Sequence, residues 1–420
     1  MMEFWNKKIE TLSRNEIEKL QLERINIQLN QAKKSNWYKD KLPDHIKSLA
    51  EIKGLVFTSK AELRKGFPYE FLAIPHNDIL RLNASSGTTG IPTFMAFSKR
   101  DLDTVSDNEA RNLFMAGLRP NMILQEMMGF GLFVAGWVVY HATQKIGATI
   151  LPTGPGNTIR QIELLDKLGA SFTYSTPSYL QHILSQIPPE ILLRMKLKKA
   201  VTAGEPLSEQ FQNQSLKTYG IEIFNSHGLT EFGGPIAGEC IFHKGLHLLE
   251  DRFYVEIIDP DTGKSLPDGE YGELVVTPLQ QEAMPLVRYR TRDITRIIPG
   301  ECPCGRTHRR IEPVTHRIDD MMIINGVNVF PSQIEECIYK HISTATNYLI
   351  HITEKEGLKK LLIDIEIPNE LLNNEIGLKK LESQLTQTLK SYITVTPKLN
   401  FIPMGTLPEI QGKAKRVVRD

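Results

Sequence analysis

The chain has 420 residues, 41% hydrophobic and 24% charged, enough for two domains or one large domain with an appendage and for a sizeable core. Fifty Lys and Arg against 49 Asp and Glu leave a formal charge of +1, which argues against nucleic-acid binding by bulk charge. No apolar run approaches the roughly 20 residues of a membrane span, the opening "MMEFWNKKIETLSRNEIEKL" does not read as a secretory leader, and four cysteines suit a reducing cytoplasm better than a disulfide framework.

In chain order, Ile9, Leu12, Ile17, Leu20, Ile25 and Leu29 recur among charges and predict helix over 9–37. From about 80 to 230, apolar runs alternate with amphipathic stretches. "ATILPTG" (148–154), "SFTYSTP" (171–177) and "KKAVTAGEP" (198–206) read as strands, and 157–169 and 206–220 as helices that stop at glycine. That alternation predicts a parallel sheet with crossover helices and ligand loops at the strands' carboxyl ends. Residues 250–298 read as three antiparallel strands, a barrel-like addition. After 317 follow a strand at "MMIINGVNVF", a helix at "PSQIEECIYKHI", strands near 346–353 and 360–367, a helix near 372–390 and a strand at "KLNFIPM". The expected fold is therefore α/β: a large N-terminal domain, 1–316, with parallel sheets and helices plus the barrel-like β region, then a small mobile α+β domain, 317–420, joined at "THRIDD".

Two features carry chemistry by themselves. "NASSGTTGIPT" places four hydroxyls and two glycines within Ser85–Gly90. Glycines let backbone amides turn toward an anion, and hydroxyls add donors. It is not a Walker loop, and an ordinary surface loop has the same composition. The second feature is Cys240, with His247 seven residues later, and Cys302 and Cys304 in "ECPCGRTH". Three thiols and an imidazole make a tetrahedral zinc set with no open position, so the metal would be structural. Buried free thiols are the other reading. His243 and His308 are competing ligands, and Cys337 reads as core.

"SSGTTGIPT", "SHGLTEFGGP", "PLVRYRTRD", "HRIDDMMIINGVNVFPSQIEE" and "GKAKRVV" occur in this order. Together they resemble the adenylate-forming enzymes (acyl-CoA synthetases, luciferases and peptide-synthetase adenylation domains), most closely the phenylacetate–CoA ligase family. The resemblance implies an ATP-dependent reaction in two halves. A carboxylate attacks the α-phosphate of ATP, giving an acyl-adenylate and pyrophosphate. A thiol, coenzyme A or the phosphopantetheine of a carrier protein, then takes the acyl group and AMP leaves.

Carried over position by position, the resemblance makes Ser85, Ser86, Gly87, Thr88, Thr89 and Gly90 the pyrophosphate loop. Gly204, Glu205, His227, Gly228 and Thr230 would surround the purine. Glu231 would bind Mg²⁺, Asp293 the ribose hydroxyls, and Lys413 would meet charge growing on the α-phosphate. Asp293 has a competing reading as a partner of Arg288, Arg290, Arg292 or Arg296. Arg317 and Asp319 match the hinge about which the small domain turns between half-reactions, with Arg317 also a nucleotide ligand. Phe130, Phe133, Trp137 and Ile236 would line a slot for an aryl or other small apolar acid, and core packing explains them equally well. Dimerisation is common in the family. The chain departs from the family at Ile91 (often Lys), His227 (mostly Tyr), His316 (usually Gly) and Ile318 (a small polar residue). A non-catalytic member that binds a nucleotide or acyl ligand is the reading from another class.

Overall fold

The alternating segments build one sheet. In the computed structural model, which describes residues 3–85, 93–314, 316–320, 322–324, 327–342, 347–355, 358–408 and 416–419, Thr149–Pro152, Ile123–Glu126, Phe172–Ser175, Lys199–Thr202 and Glu222–Leu229 lie side by side in that order, all parallel. Helices Ala135–Ile146, Thr158–Leu168, Pro177–Gln186 and Glu209–Tyr219 connect them. Two of these stop where expected, at Gly169 and Gly220, both left-handed with φ 66° and 67°. Beyond Glu222–Leu229 the sheet continues antiparallel through Gly234–Glu239, Leu246–Leu248, Arg310–Ile311 and Ile297–Ile298, nine strands in all.

The region from 250 is antiparallel, as its sequence predicts. Phe253–Ile258, Gly272–Pro278, Tyr289–Thr295 and His316–Arg317 pair in sequence order as a four-stranded sheet. Among the described residues it is open, not closed into a barrel. Its Val255, Ile257, Leu274 and Val276 share one core cluster with Ile25, Leu29 and Ala32. The single helix expected over 9–37 is two, Lys7–Glu10 and Arg14–Ala32. Ser13 breaks it by capping the second helix reciprocally with Glu16, and Leu12 falls in the gap.

The small domain is α+β. Lys398–Pro403, Leu358–Ile367, Tyr348–Lys355 and Val417–Arg419 form a four-stranded sheet. Helices Pro331–His341 and Glu375–Ile393 share a core with it around Ile334, Ile338, Ile363, Leu385 and Leu389. The strand expected at "MMIINGVNVF" is instead a hairpin, Met322–Ile324 against Val327–Val329. The Asn-Gly dipeptide between them is the sequence signal for such a turn. Val417–Arg419 is a strand inside what composition makes a solvated basic tail. No helix among the described residues is long and apolar enough to cross a membrane.

Candidate active site

Strand Tyr289–Thr295 is buried on alternate residues, so Tyr289, Thr291 and Asp293 share an inward face. Asp293 is fully buried. Its backbone neighbour across the ladder is Arg317, whose Nη1 lies 2.8 Å from Oδ1. His227 Nε2 lies 3.2 Å from Oδ2. Burial pushes the carboxyl up, but Arg317 and then His227 outweigh it and hold Asp293 below its ordinary value. Neither contact has hydrogen-bond alignment among the described residues. An ionised carboxylate has about four acceptor sites, so each oxygen, although ion-paired, can still accept from a hydroxyl.

The competing reading of Asp293 as a partner for the nearby arginines does not match the geometry. Arg288 pairs with Glu256 at 2.9 Å, Arg290 and Arg292 with Glu273, and Arg296 with Glu312.

Glu231 sits on the tight turn Thr230–Phe232, buried, and its Oε1 accepts from Tyr289 Oη at 2.9 Å. Its backbone carbonyl accepts from Gln281 Nε2 at 2.8 Å. One strand thus fixes both Asp293 and Glu231. Gly228 lets that turn close: a Cβ there would lie 2.4 Å from the Gly234 carbonyl oxygen. Sequence reading missed Tyr289 and Gln281. Tyr289 was within reach, because residues four apart on a strand face the same way.

At the carboxyl end of Lys199–Thr202, Gly204 takes φ +84°, which leaves a side chain strained. Glu205 accepts from the backbone N–H of Ser178 at 3.1 Å. Ser85 opens the hydroxyl loop beside strand Arg81–Ala84, and Thr93 follows the loop. Their backbones pair at 2.9 Å, while Ser85 Oγ and Thr93 Oγ1 have no hydrogen-bond partner among the described residues. Ser86, Gly87, Thr88, Thr89, Gly90, Ile91 and Lys413 lie outside the described residues.

Phe130 and Trp137 meet edge to face at 5.2 Å, and Trp137 Nε1 donates to the Gly131 carbonyl at 3.0 Å. Phe133 is nearby and 47% exposed. Ile236 is not part of that group; it is fully buried in the main core cluster with Phe97 and Phe232. In the segment expected to be the hinge, Arg317 closes the four-stranded sheet and Ile318–Asp320, which includes Asp319, is a short 3₁₀ turn. His316 stacks on Phe330 at 4.6 Å and bonds Ser332 Oγ at 2.7 Å, so the residue in the glycine position grips the small domain.

Cys240, His247, Cys302 and Cys304 come together, all buried, with their ligand atoms within 4.8 Å of one another. Cys240 and Cys302 sulfurs are 3.7 Å apart and His247 Nε2 is 3.3 Å from Cys304 Sγ. Sulfurs about 2.3 Å from a tetrahedral zinc sit about 3.8 Å from each other, so the four fit that ion. His247 Nδ1 faces the His308 carbonyl at 3.4 Å, a contact that directs Nε2 at the ligand position. The two segments are neighbours as expected, since Arg310 pairs with His247. Their place is the antiparallel edge of the nine-stranded sheet rather than the barrel-like region. His243 and His308 are not ligands. His243 lies between Glu222 and Glu239, and His308 places Nδ1 3.0 Å from the Leu248 carbonyl and Nε2 3.1 Å from the Ile9 carbonyl. Cys337 is core.

Comparison with known proteins fits this arrangement. Residues 11–280 match the model of the AMP-binding enzyme family, and 326–420 match the AMP-binding enzyme C-terminal domain. The chain belongs to the AMP-binding enzyme family. Within that family, phenylacetate–coenzyme A ligases of Aromatoleum evansii and Escherichia coli are 37% and 33% identical to it, over 98% and 97% of this chain and 96% of each relative. The AMP-binding enzyme described here is accordingly an adenylate-forming ligase: ATP-dependent adenylation of a carboxylic acid, then transfer of the acyl group to coenzyme A. Its fold is that of 2-hydroxyisobutyryl-CoA ligase. The postadenylation state of that protein superposes with TM-score 0.91 at 23% identity, covering 99% of this chain and 92% of the other. The thioesterification state of the same protein reaches 0.72 over the same coverage, at 24% identity.

Proposed function

We propose that this enzyme activates an aryl, phenylacetate-like acid or another small apolar acid, with coenzyme A as the thiol acceptor. The observation that carries the assignment of its centre is Asp293, buried between Arg317 and His227, which hold its carboxyl below the ordinary value while each oxygen keeps an acceptor site. In this reading Asp293 takes the two ribose hydroxyls, His227 stacks on the purine beside Gly204, Glu205, Gly228 and Thr230, and Arg317 balances the charge beneath the ribose. The hydroxyls and amides of Ser85–Gly90 hold the leaving pyrophosphate. Glu231, fixed by Tyr289, is the protein's ligand to Mg²⁺, which would neutralise phosphate charge as ATP binds. Phe130 and Trp137, with Phe133 at the rim, supply the aromatic side of the acyl slot. A tryptophan at 137, edge to face with Phe130, favours a small or flat acid.

Lys413 comes from the other domain. In this reading residues 1–316 and 317–420 turn about Arg317 and Asp319 between half-reactions, so that the lysine leaves before the thiol enters. The better superposition on the postadenylation arrangement supports this division of the cycle. Cys240, His247, Cys302 and Cys304 would hold a structural zinc, and a cytoplasmic location is consistent with those reduced thiols.

ATP–pyrophosphate exchange across a panel of carboxylic acids tests the assignment. Exchange is expected with aromatic or short aliphatic acids. Silence across the whole panel would overturn it in favour of a ligand-binding role. Lys413→Ala should slow adenylation by about 10²–10³ while transfer from preformed acyl-adenylate to coenzyme A survives; equal loss of both steps removes the assigned role.

A further inference from the structure

The contact between the two domains includes a polar tie that the reaction scheme does not use. Helix Pro331–His341 of the small domain packs against the large domain near Glu209–Tyr219. Tyr339 and Glu335, four residues apart, share one face of that helix. Tyr339 Oη lies 3.0 Å from Gln181 Oε1 on the large domain and 3.2 Å from Glu335 Oε1 on its own helix. Gln181 is buried on helix Pro177–Gln186. The N-terminal turn of that helix holds Glu205, through the Ser178 amide at 3.1 Å. The tyrosine therefore reaches the element that orients a purine-pocket candidate.

A cation completes the cluster. Arg416 donates to the Tyr348 carbonyl at 3.1 Å, and its guanidinium lies 4.3 Å above the Tyr348 ring. It follows Lys413 by three residues and opens the strand Val417–Arg419. Burial pushes the Glu335 carboxyl up to about 7, with Arg416 pulling down and Glu205 pushing further up. Glu335 and Glu205, from different domains, both act electrostatically on this guanidinium.

We propose that Tyr339 is a positioning residue for the adenylation half-reaction: its hydroxyl, shared between Gln181 and Glu335, holds the small domain in the arrangement that supplies Lys413, and it releases when the domain turns for the thiol step. One shared hydroxyl is a fitting strength for this task. A neutral hydrogen bond biases an equilibrium by roughly a factor of 2 to 13, enough to favour one arrangement without freezing it.

The proposal rests on the two-arrangement reading above, and the test separates the two. Tyr339→Phe, Gln181→Leu and the double variant are assayed for ATP–pyrophosphate exchange and, separately, for acyl transfer from synthetic acyl-adenylate to coenzyme A. Thermal melts confirm folding. Each single variant should lose about three- to tenfold in exchange kcat, with transfer unchanged or faster, and the double variant should be no worse than either single one. Parallel loss of both steps, no change in exchange, or full additivity overturns the latch. Lys413→Ala runs alongside. If it splits the half-reactions and Tyr339→Phe does not, only the latch fails. If Lys413→Ala lowers both steps equally, the two-arrangement reading fails and takes the latch with it.

Discussion

The two ends of the chain dock on the same body by different chemistry. At the N-terminal end, Glu10 meets Arg306 at 2.6 Å with both side chains buried, and Arg14 and Arg309 hold the buried Glu250 at 2.9 and 2.8 Å. Behind them Arg111 and Asp251 form a further buried pair at 2.6 Å. At the C-terminal end, helix Pro331–His341 is tied to the large domain by a tyrosine hydroxyl on a glutamine. A buried ion pair is costly to open, because each half leaves an uncompensated charge. A neutral hydroxyl–amide contact exchanges readily with water. In the proposed two-arrangement cycle, this difference suits a fixed N-terminal end and a C-terminal end that turns.

The largest effect should follow from breaking the fixed end. Arg306→Ala leaves Glu10 buried beside no cation and is expected to destabilise the protein by about 3–5 kcal/mol in urea unfolding. Tyr339→Phe should cost about 1 kcal/mol or less. Comparable losses from the two substitutions would erase the contrast. Acid should weaken the fixed end too. Burial alone would raise Asp251, but Arg111 and Arg252 hold it well below the usual carboxylate range. A depressed carboxyl contributes stability above its unfolded value of about 3.9 and loses it as the pH falls toward the folded value.

The cysteine cluster sharpens the same comparison, because the loop that carries Cys302 and Cys304 continues directly into the N-terminal dock. Arg306 bonds Glu10, Thr307 Oγ1 bonds the Leu12 carbonyl at 2.6 Å, and His308 Nε2 faces the Ile9 carbonyl at 3.1 Å. A zinc at Cys240, His247, Cys302 and Cys304 would thus brace the platform for residues 3–13. Elemental analysis should find one zinc per chain. Chelation, or Cys302→Ser, should raise tryptic cleavage at Lys7 and Lys8 at least tenfold, about 1.4 kcal/mol of local opening. Absence of zinc from protein purified without chelators would remove the metal, and unchanged cleavage would remove the bracing role.

Legibility in the sequence divides along similar lines. The parallel strands and their helices were readable because period and glycine stops are local signals. The glutamate turn and the buried Asp293 were readable because each lies in a short motif. The break at Leu12 was hidden by a capping pair inside a continuous hydrophobic pattern, although Ser13 and Glu16 stand at capping-box spacing. The antiparallel extension through Gly234–Glu239 and Leu246–Leu248 was not readable, since its strands are short and its register is set by partners such as Arg310. Nor were Arg111 with Asp251, Glu10 with Arg306, or Tyr339 with Gln181. No spacing rule joins residues 140, 296 or 158 positions apart.

The smallest effect contrasts a paired buried carboxyl with an unpaired one. Glu126 ends the strand Ile123–Glu126, fully buried. Its Oε1 accepts from the Met128 amide at 2.5 Å, and its Oε2 has no hydrogen-bond partner among the described residues. Unlike Asp251 it faces no guanidinium in an ion pair, so burial pushes its carboxyl up to about 8. A free glutamate titrates near 4.3. The unfolded chain therefore loses this proton first, and stability is fully present below about pH 4.3 and falls as pH rises toward 8. Glu126→Gln keeps an acceptor for Met128 and removes the titration. Its stability in urea should change less between pH 7 and pH 8 than that of the unsubstituted protein, by about 1 kcal/mol. Identical pH slopes would mean that Glu126 is ionised in the folded state. A cation would then have to face it, and the distinction between the two carboxyls would not hold.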